Sequence, residues 1–344
     1  MCSCVLVVYV EPLLCSAGFV LNTACIAVFV SVSSHGYFRK TSLLLYLIAM
    51  CMCNALQLLL SVFVLILPAA EQYIPEEFGE EVEALATMNS YSVRIAYPLL
   101  LAANYASIWI LTLICAQRFH AICEPWSVWK TRLQIVRNSR LPICLVILLA
   151  IGLNIIRFWE LEWLDQGLSE SALKKHHLYL ILQEGFIYGV IVYGCPIVML
   201  LWLNYNIIKL ITHEVRRQRP TAEYRTALMT VFVFVFFFLC TTLAVSIRLI
   251  MIASKGSLKG ADFTWLVDLS NLLMNMNAIL MPIVCFVFTR GFRDIFFVIR
   301  FAPNANPFHQ SGDTPLILKT AGFEQKQFTS GAHLYTHICA TDHH

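Results

Sequence analysis

The chain has 344 residues, of which 59% are hydrophobic and only 13% charged, with a formal net charge of +3. A soluble protein of this size could not bury so much apolar surface, so soluble classes are excluded, and no second, soluble domain fits beside the apolar segments. Seven apolar stretches follow in chain order: Val5 to Ser33, Ser42 to Leu67, Ile95 to Phe119, Leu141 to Trp159, Leu178 to Ile211, Ala227 to Ala253 and Phe263 to Phe288. A helix rises about 1.5 Å per residue and the hydrocarbon layer is about 30 Å thick, so roughly 20 apolar residues cross it. The chain reads as an all-α membrane protein, a seven-transmembrane helix bundle in residues 1–300 with a polar cytoplasmic tail over 301–344.

The connections give an orientation, because loops rich in Lys and Arg stay cytoplasmic. The first, third and fifth carry Arg39 and Lys40; Lys130, Arg132, Arg137 and Arg140; and Arg216, Arg217, Arg219 and Arg225, with Arg290, Arg293 and Arg300 after the last span. The second and fourth are acidic, with Glu71, Glu76, Glu77, Glu80, Glu81 and Glu83, then Glu160, Glu162, Asp165 and Glu170. The expected N-terminus is therefore extracellular and the C-terminus cytoplasmic. The first span begins almost at Met1 without a basic n-region, so it is expected to act as its own signal anchor. Asn89-Ser90-Tyr91 fails the acceptor pattern, so no glycosylation is expected outside. Sorted this way, the basic residues form a cytoplasmic face that needs no nucleic acid to explain it.

Most of the 13 cysteines, among them Cys51, Cys53, Cys115, Cys144, Cys195, Cys240 and Cys285, fall within spans, where Cys packs as a small hydrophobe. No metal-binding Cys/His spacing appears, and His309, His333, His337, His343 and His344 belong to the tail. No zinc helix, nucleophile elbow, phosphate-binding glycine loop or intramembrane carboxylate pair is present, so the expected protein is not an enzyme and needs no cofactor. The charges within the spans collect at two levels. Glu11, Glu184, Arg248 and Asp268 lie near the outer helix ends, and Arg118 and Glu223 near the inner face. That layering suits a receptor better than a small-solute transporter, which is the alternative class.

At the inner end of the third span stands Leu113-Ile114-Cys115-Ala116-Gln117-Arg118-Phe119-His120-Ala121-Ile122-Cys123-Glu124-Pro125-Trp126. It resembles the acidic-Arg-Tyr segment of rhodopsin-like (class A) G-protein-coupled receptors, complete with the proline seven residues on. Gly18 to Asn22 resembles the family's GxxxN, Pro196 its helix-five proline, and Asn277 to Pro282 its NSxxNP. Arg290-Gly291-Phe292-Arg293-Asp294-Ile295-Phe296 resembles the short amphipathic helix after the seventh span. Three stretches are similar to invertebrate, including nematode, FMRFamide-type neuropeptide receptors: Cys123 to Trp126, Asn154-Ile155-Ile156-Arg157-Phe158-Trp159-Glu160, and Phe237-Phe238-Leu239-Cys240-Thr241-Thr242-Leu243. The resemblance implies a multi-pass plasma-membrane receptor that binds an extracellular peptide and signals to a heterotrimeric G protein.

Departures from the pattern are as specific. The acid before the arginine is Gln117, the tyrosine after it is Phe119, the helix-six proline is Leu243, and the seventh span reads Met281-Pro282-Ile283-Val284-Cys285. Met52 and Asn54 stand where the family has a helix-two carboxylate, and neither Glu71 to Ile95 nor Trp159 to Leu178 holds a Cys for the usual outer disulfide. A diverged chemosensory receptor is thus a second reading within the class. The seventh span has no Lys for a retinal Schiff base, and Ile95 to Ile114 no carboxylate for an amine, which leaves a peptide or other larger ligand.

Candidate ligand contacts are Asp268 or Glu184 for a cation and Arg248 for a carbonyl or carboxylate, with Trp265 and Tyr97 as aromatic surface. Glu76, Glu77, Glu80, Glu81 and Glu83 could steer a cationic peptide, screened beyond about 8 Å at physiological salt. From the resemblance, Arg118, Gln117, Glu223 and Pro282 form the inner switch. Gln117 cannot hold Arg118 ionically, and Glu223, twenty residues before Leu243, matches the position of the family's second acid.

Overall fold

The computed structural model describes residues 5–34, 42–71, 79–124, 126–138, 140–164, 167–216, 222–253 and 261–288. Seven long helices follow one another. They are α1 (Glu11–Ser34, entered through π-helical Val5–Val10), α2 (Ser42–Ser61, continued by π-helical Val62–Ile66 and by Leu67–Glu71), α3 (Gly79–Ile122) and α4 (Arg140–Asn154, extended as a 3-10 helix over Ile155–Trp159). Then come α5 (Cys195–Arg216, preceded by π-helical Ile181–Gly194), α6 (Ala222–Ala253) and α7 (Ala261–Phe288). Each has an apolar window long enough to cross a membrane, so the seven-helix architecture read from hydropathy holds. The amphipathic helix expected at 290–296, the tail, Glu76 and Glu77 lie outside the described residues.

α3 starts sixteen residues earlier than Ile95, the first residue of its apolar run. Hydropathy stops at the last apolar turn. The helix does not, because acidic residues suit a helix start and none of the residues from Glu80 to Arg94 is a breaker. Of the apolar window of α3, 83% is buried, against 22% for α4. α3 is therefore the hub, packed on α2, α4, α5 and α6, while α4 leans on its outside.

Local chemistry accounts for the irregular turns. Pro196 lacks an N–H and its ring crowds the carbonyl one turn back, and the chain enters α5 through a widened π-helical segment whose last bond joins Cys195 N–H to the Val190 carbonyl. α1 and α7 approach closely at Gly18, where a Cβ would run into Ile279 and come within 2.8 Å of Leu58 Cδ1. Around it Cys15, Leu58, Ala278 and Ile279 form one packed layer. Asn22, fully buried, donates both to the Gly18 carbonyl (2.9 Å) and across to the Ala278 carbonyl (3.1 Å), so the GxxxN of α1 locks onto the seventh helix.

Between α4 and α5 lies an antiparallel hairpin of β1 (Leu161–Leu164) and β2 (Gly167–Glu170), with Leu161 opposite Glu170 and Leu164 opposite Gly167. Four-residue strands are too short to show alternation, so the hairpin had no readable signal. It marks one end of the bundle, hereafter the hairpin end; Arg118 marks the other.

Candidate functional site

At the hairpin end the fourth helix finishes in a buried ionic knot. Arg157, 1% exposed, lies in the 3-10 turn that extends α4. One terminal nitrogen donates to Glu160 (3.2 Å) and to the Tyr97 hydroxyl (3.2 Å); the other donates to Glu184 (2.8 Å) and to the Tyr105 hydroxyl (3.2 Å). Tyr179 donates its hydroxyl to Glu160 at 2.6 Å, a short charge-assisted bond. The Glu160 carbonyl accepts from Ser171 N–H at 2.9 Å, which ties the root of the hairpin to the same residue. A guanidinium has five donors in a rigid fork, and here that fork reaches α3, the hairpin root and the α5 segment at once. Taking ions out of water costs several kcal/mol each, so the knot depends on nearly every donor having an acceptor.

The knot ties α3 to the residues on both sides of the hairpin, and all described cysteines are free. It also fixes two of the expected ligand contacts. Glu184, 17% exposed, is paired with Arg157, and Tyr97 lies beneath the guanidinium, 5.9 Å from ring centroid to cation. Asp268 is half-buried on α7 and Trp265 is 40% exposed, one turn toward the start of that helix. The side chain of Arg248 lies outside the described residues. Arg157 itself was missing from the site expected from sequence. Its signal was present: a cation inside an apolar span, three residues before Glu160, in a membrane setting where such a charge is functional until shown otherwise.

At the opposite end Arg118 is half-buried, within electrostatic reach of the Cys115 thiol and of the Cys285 thiol on α7. Gln117 turns to α2 instead and donates to the Ser42 hydroxyl at 3.5 Å, while its own carbonyl oxygen is buried without a partner. Phe119 is buried and packs edge-on against Trp202 of α5, 5.5 Å between centroids, a contact that asks for a ring and not for a hydroxyl. Lys130 caps the end of α3 by donating to the His120 carbonyl at 2.7 Å. Pro282 is buried within α7. Glu223 lies on α6, and its side chain is outside the described residues.

Inside the bundle, Ser107 of α3 donates to Asn54 of α2 at 2.6 Å, and Tyr193 shares a 2.8 Å hydrogen bond with Thr242 of α6. The described residues hold no group of three or more His, Cys, Asp or Glu side chains arranged for a metal.

Seven apolar helices, joined to the sequence likeness that follows, fit a rhodopsin-like (class A) G-protein-coupled receptor. The chain is 25% identical over 279 residues to the FMRFamide peptide receptor frpr-18 of Caenorhabditis elegans, a match covering 76% of this chain and 62% of that protein. No protein-family model matches the chain.

Proposed function

We propose that the chain is a plasma-membrane G-protein-coupled receptor for an extracellular peptide of FMRFamide-like type, with residues 1–300 as the receptor domain and 301–344 as its cytoplasmic tail. The observation that carries this reading is the 279-residue likeness to a peptide receptor on a seven-helix bundle. In this reading the Arg118 end is cytoplasmic and the hairpin end is outside, which the basic connections support. The ligand enters at the hairpin end and meets Asp268, Trp265 and Arg248, with Glu184 and Tyr97 in the wall behind. Glu184 is engaged by Arg157, so a ligand cation that takes it must compete with an ion pair. Binding favours one of two helix arrangements, and the same arrangement opens the Arg118 end to a heterotrimeric G protein. No bond of the ligand is made or broken, and no cofactor takes part.

The test is G-protein nucleotide exchange in membranes of cells expressing the chain, challenged with a neuropeptide library that includes FMRFamide. Peptide-driven exchange is the expected result. Uptake of a radiolabelled solute by the same cells, with no peptide driving exchange, would overturn the receptor reading.

A further inference from the structure

Glu11 lies within the first membrane span and is 1% exposed. A carboxylate in that setting is costly to ionise unless a cation or several donors compensate it. Its Oε1 accepts one hydrogen bond, from Asn275 Nδ2 on α7 at 2.9 Å. Asn275 is fully buried, and its oxygen is already occupied by two donors of α2, the Ser61 hydroxyl at 3.0 Å and the Gln57 amide at 3.4 Å. Gln57 is held in turn by the Met274 carbonyl at 3.3 Å. An amide whose oxygen is taken in this way presents its N–H to Glu11, so side chains of α2 and α7 are polarised toward the carboxylate on α1. Asp268, two turns nearer the start of α7, lies within electrostatic reach and adds negative potential.

Glu11 takes part in neither of the ion pairs of Arg157, and its hydrogen-bond donor among the described residues is the Asn275 amide. One neutral N–H does not balance an ionised carboxylate in low dielectric. An ammonium or guanidinium supplies both the missing charge and further donors. Access has a direction as well. The layer of Cys15, Leu58, Ala278 and Ile279 packs one turn deeper on α1, so a group approaching Glu11 from the hairpin end does not have to cross it.

We propose that Glu11, oriented by Asn275, Gln57 and Ser61, is the binding site for an ammonium or guanidinium group of a cationic ligand between α1, α2 and α7. The site rests on the reading of the hairpin end as the ligand-facing mouth. It adds a third carboxylate to the two expected from sequence, and one that no intramolecular cation occupies among the described residues.

The test uses purified full-length chain without G protein and reads the concentration-dependent thermal shift caused by two probes. One is arginyl-phenylalaninamide; the other is its neutral counterpart, N-acetyl-citrullyl-phenylalaninamide. Wild type is expected to bind the cationic probe about tenfold more tightly, and Glu11→Gln to lose that preference while its midpoint without probe holds. Should Glu11→Gln not fold, Glu11→Asp keeps the charge but withdraws it by one methylene, and is expected to weaken the cationic probe alone by about threefold. Equal binding of the two probes by wild type, or an unchanged preference in whichever variant folds, overturns the site. If charge preference behaves as expected while no peptide drives nucleotide exchange, the receptor reading fails and the site stands.

Discussion

Arg157 and Arg118 are held in opposite ways at the two ends of the bundle. Arg157 is sealed in, with two carboxylates and two tyrosine hydroxyls around one guanidinium. Arg118 is half-buried beside a glutamine that looks away toward Ser42. The same side chain can therefore be a fixture or a moving part, and its neighbours decide which. A cation locked by two buried anions cannot leave without stranding them, whereas one whose adjacent acid has become an amide can change partner at lower cost.

The largest effect should come from opening the knot. Arg157→Met strands Glu160 and Glu184 and is expected to cost about 3–5 kcal/mol, read as lost surface expression and a lowered unfolding midpoint in detergent. Because most of that cost lies in the stranded charges, adding Glu160→Gln and Glu184→Gln to Arg157→Met should recover part of it. A triple variant no more stable than Arg157→Met would show that packing, not charge, holds this end.

Tyr179→Phe removes a single 2.6 Å bond to Glu160 and leaves the ring in place. A hydrogen bond to a charged group contributes about 1.5–3 kcal/mol, so the midpoint should fall measurably but by less than for Arg157→Met. If the two variants lose the same stability, the knot behaves as one unit that any missing member collapses.

The contrast also explains what could be read from the sequence. Hydropathy supplied seven spans because bilayer thickness dictates their length, and Gly18, Asn22 and Pro282 were legible as motifs because each is a local backbone or packing device. Charge partners were not legible. Glu11 and Asn275 are 264 residues apart, and their meeting depends on the rotation of α1 against α7, which no spacing rule supplies. Glu184 was read as a ligand contact because its cation stands on another helix, 27 residues away. The early start of α3 was lost for a different reason: hydropathy scores the charged turns as loop, although a helix start favours them.

Arg118→Ala tests the other half of the comparison. Since Arg118 is half-buried and not sealed between two carboxylates, stability should fall by far less than for Arg157→Met, by about 1 kcal/mol, while peptide-driven nucleotide exchange is abolished and probe binding persists. A loss of folding as large as that of Arg157→Met would make Arg118 a second structural anchor and end the distinction.

The finest test restores to Arg118 the acid that its position lacks. In Gln117→Glu a carboxylate adjoins the arginine, and the buried, unpaired carbonyl oxygen of Gln117 gives way to a group that can reach a cation. An ionic restraint at a half-buried site is expected to contribute about 1 kcal/mol, enough to lower basal nucleotide exchange several-fold without altering the unfolding midpoint. Glu223→Ala should act in the opposite sense and raise basal exchange, because on the resting side it removes the remaining acid that the switch uses. The pair of variants separates electrostatics from packing: a charge lock moves the two basal rates in opposite directions, and the difference shrinks as salt is added. Equal basal exchange in wild type, Gln117→Glu and Glu223→Ala would mean that Arg118 is restrained by its helix packing alone.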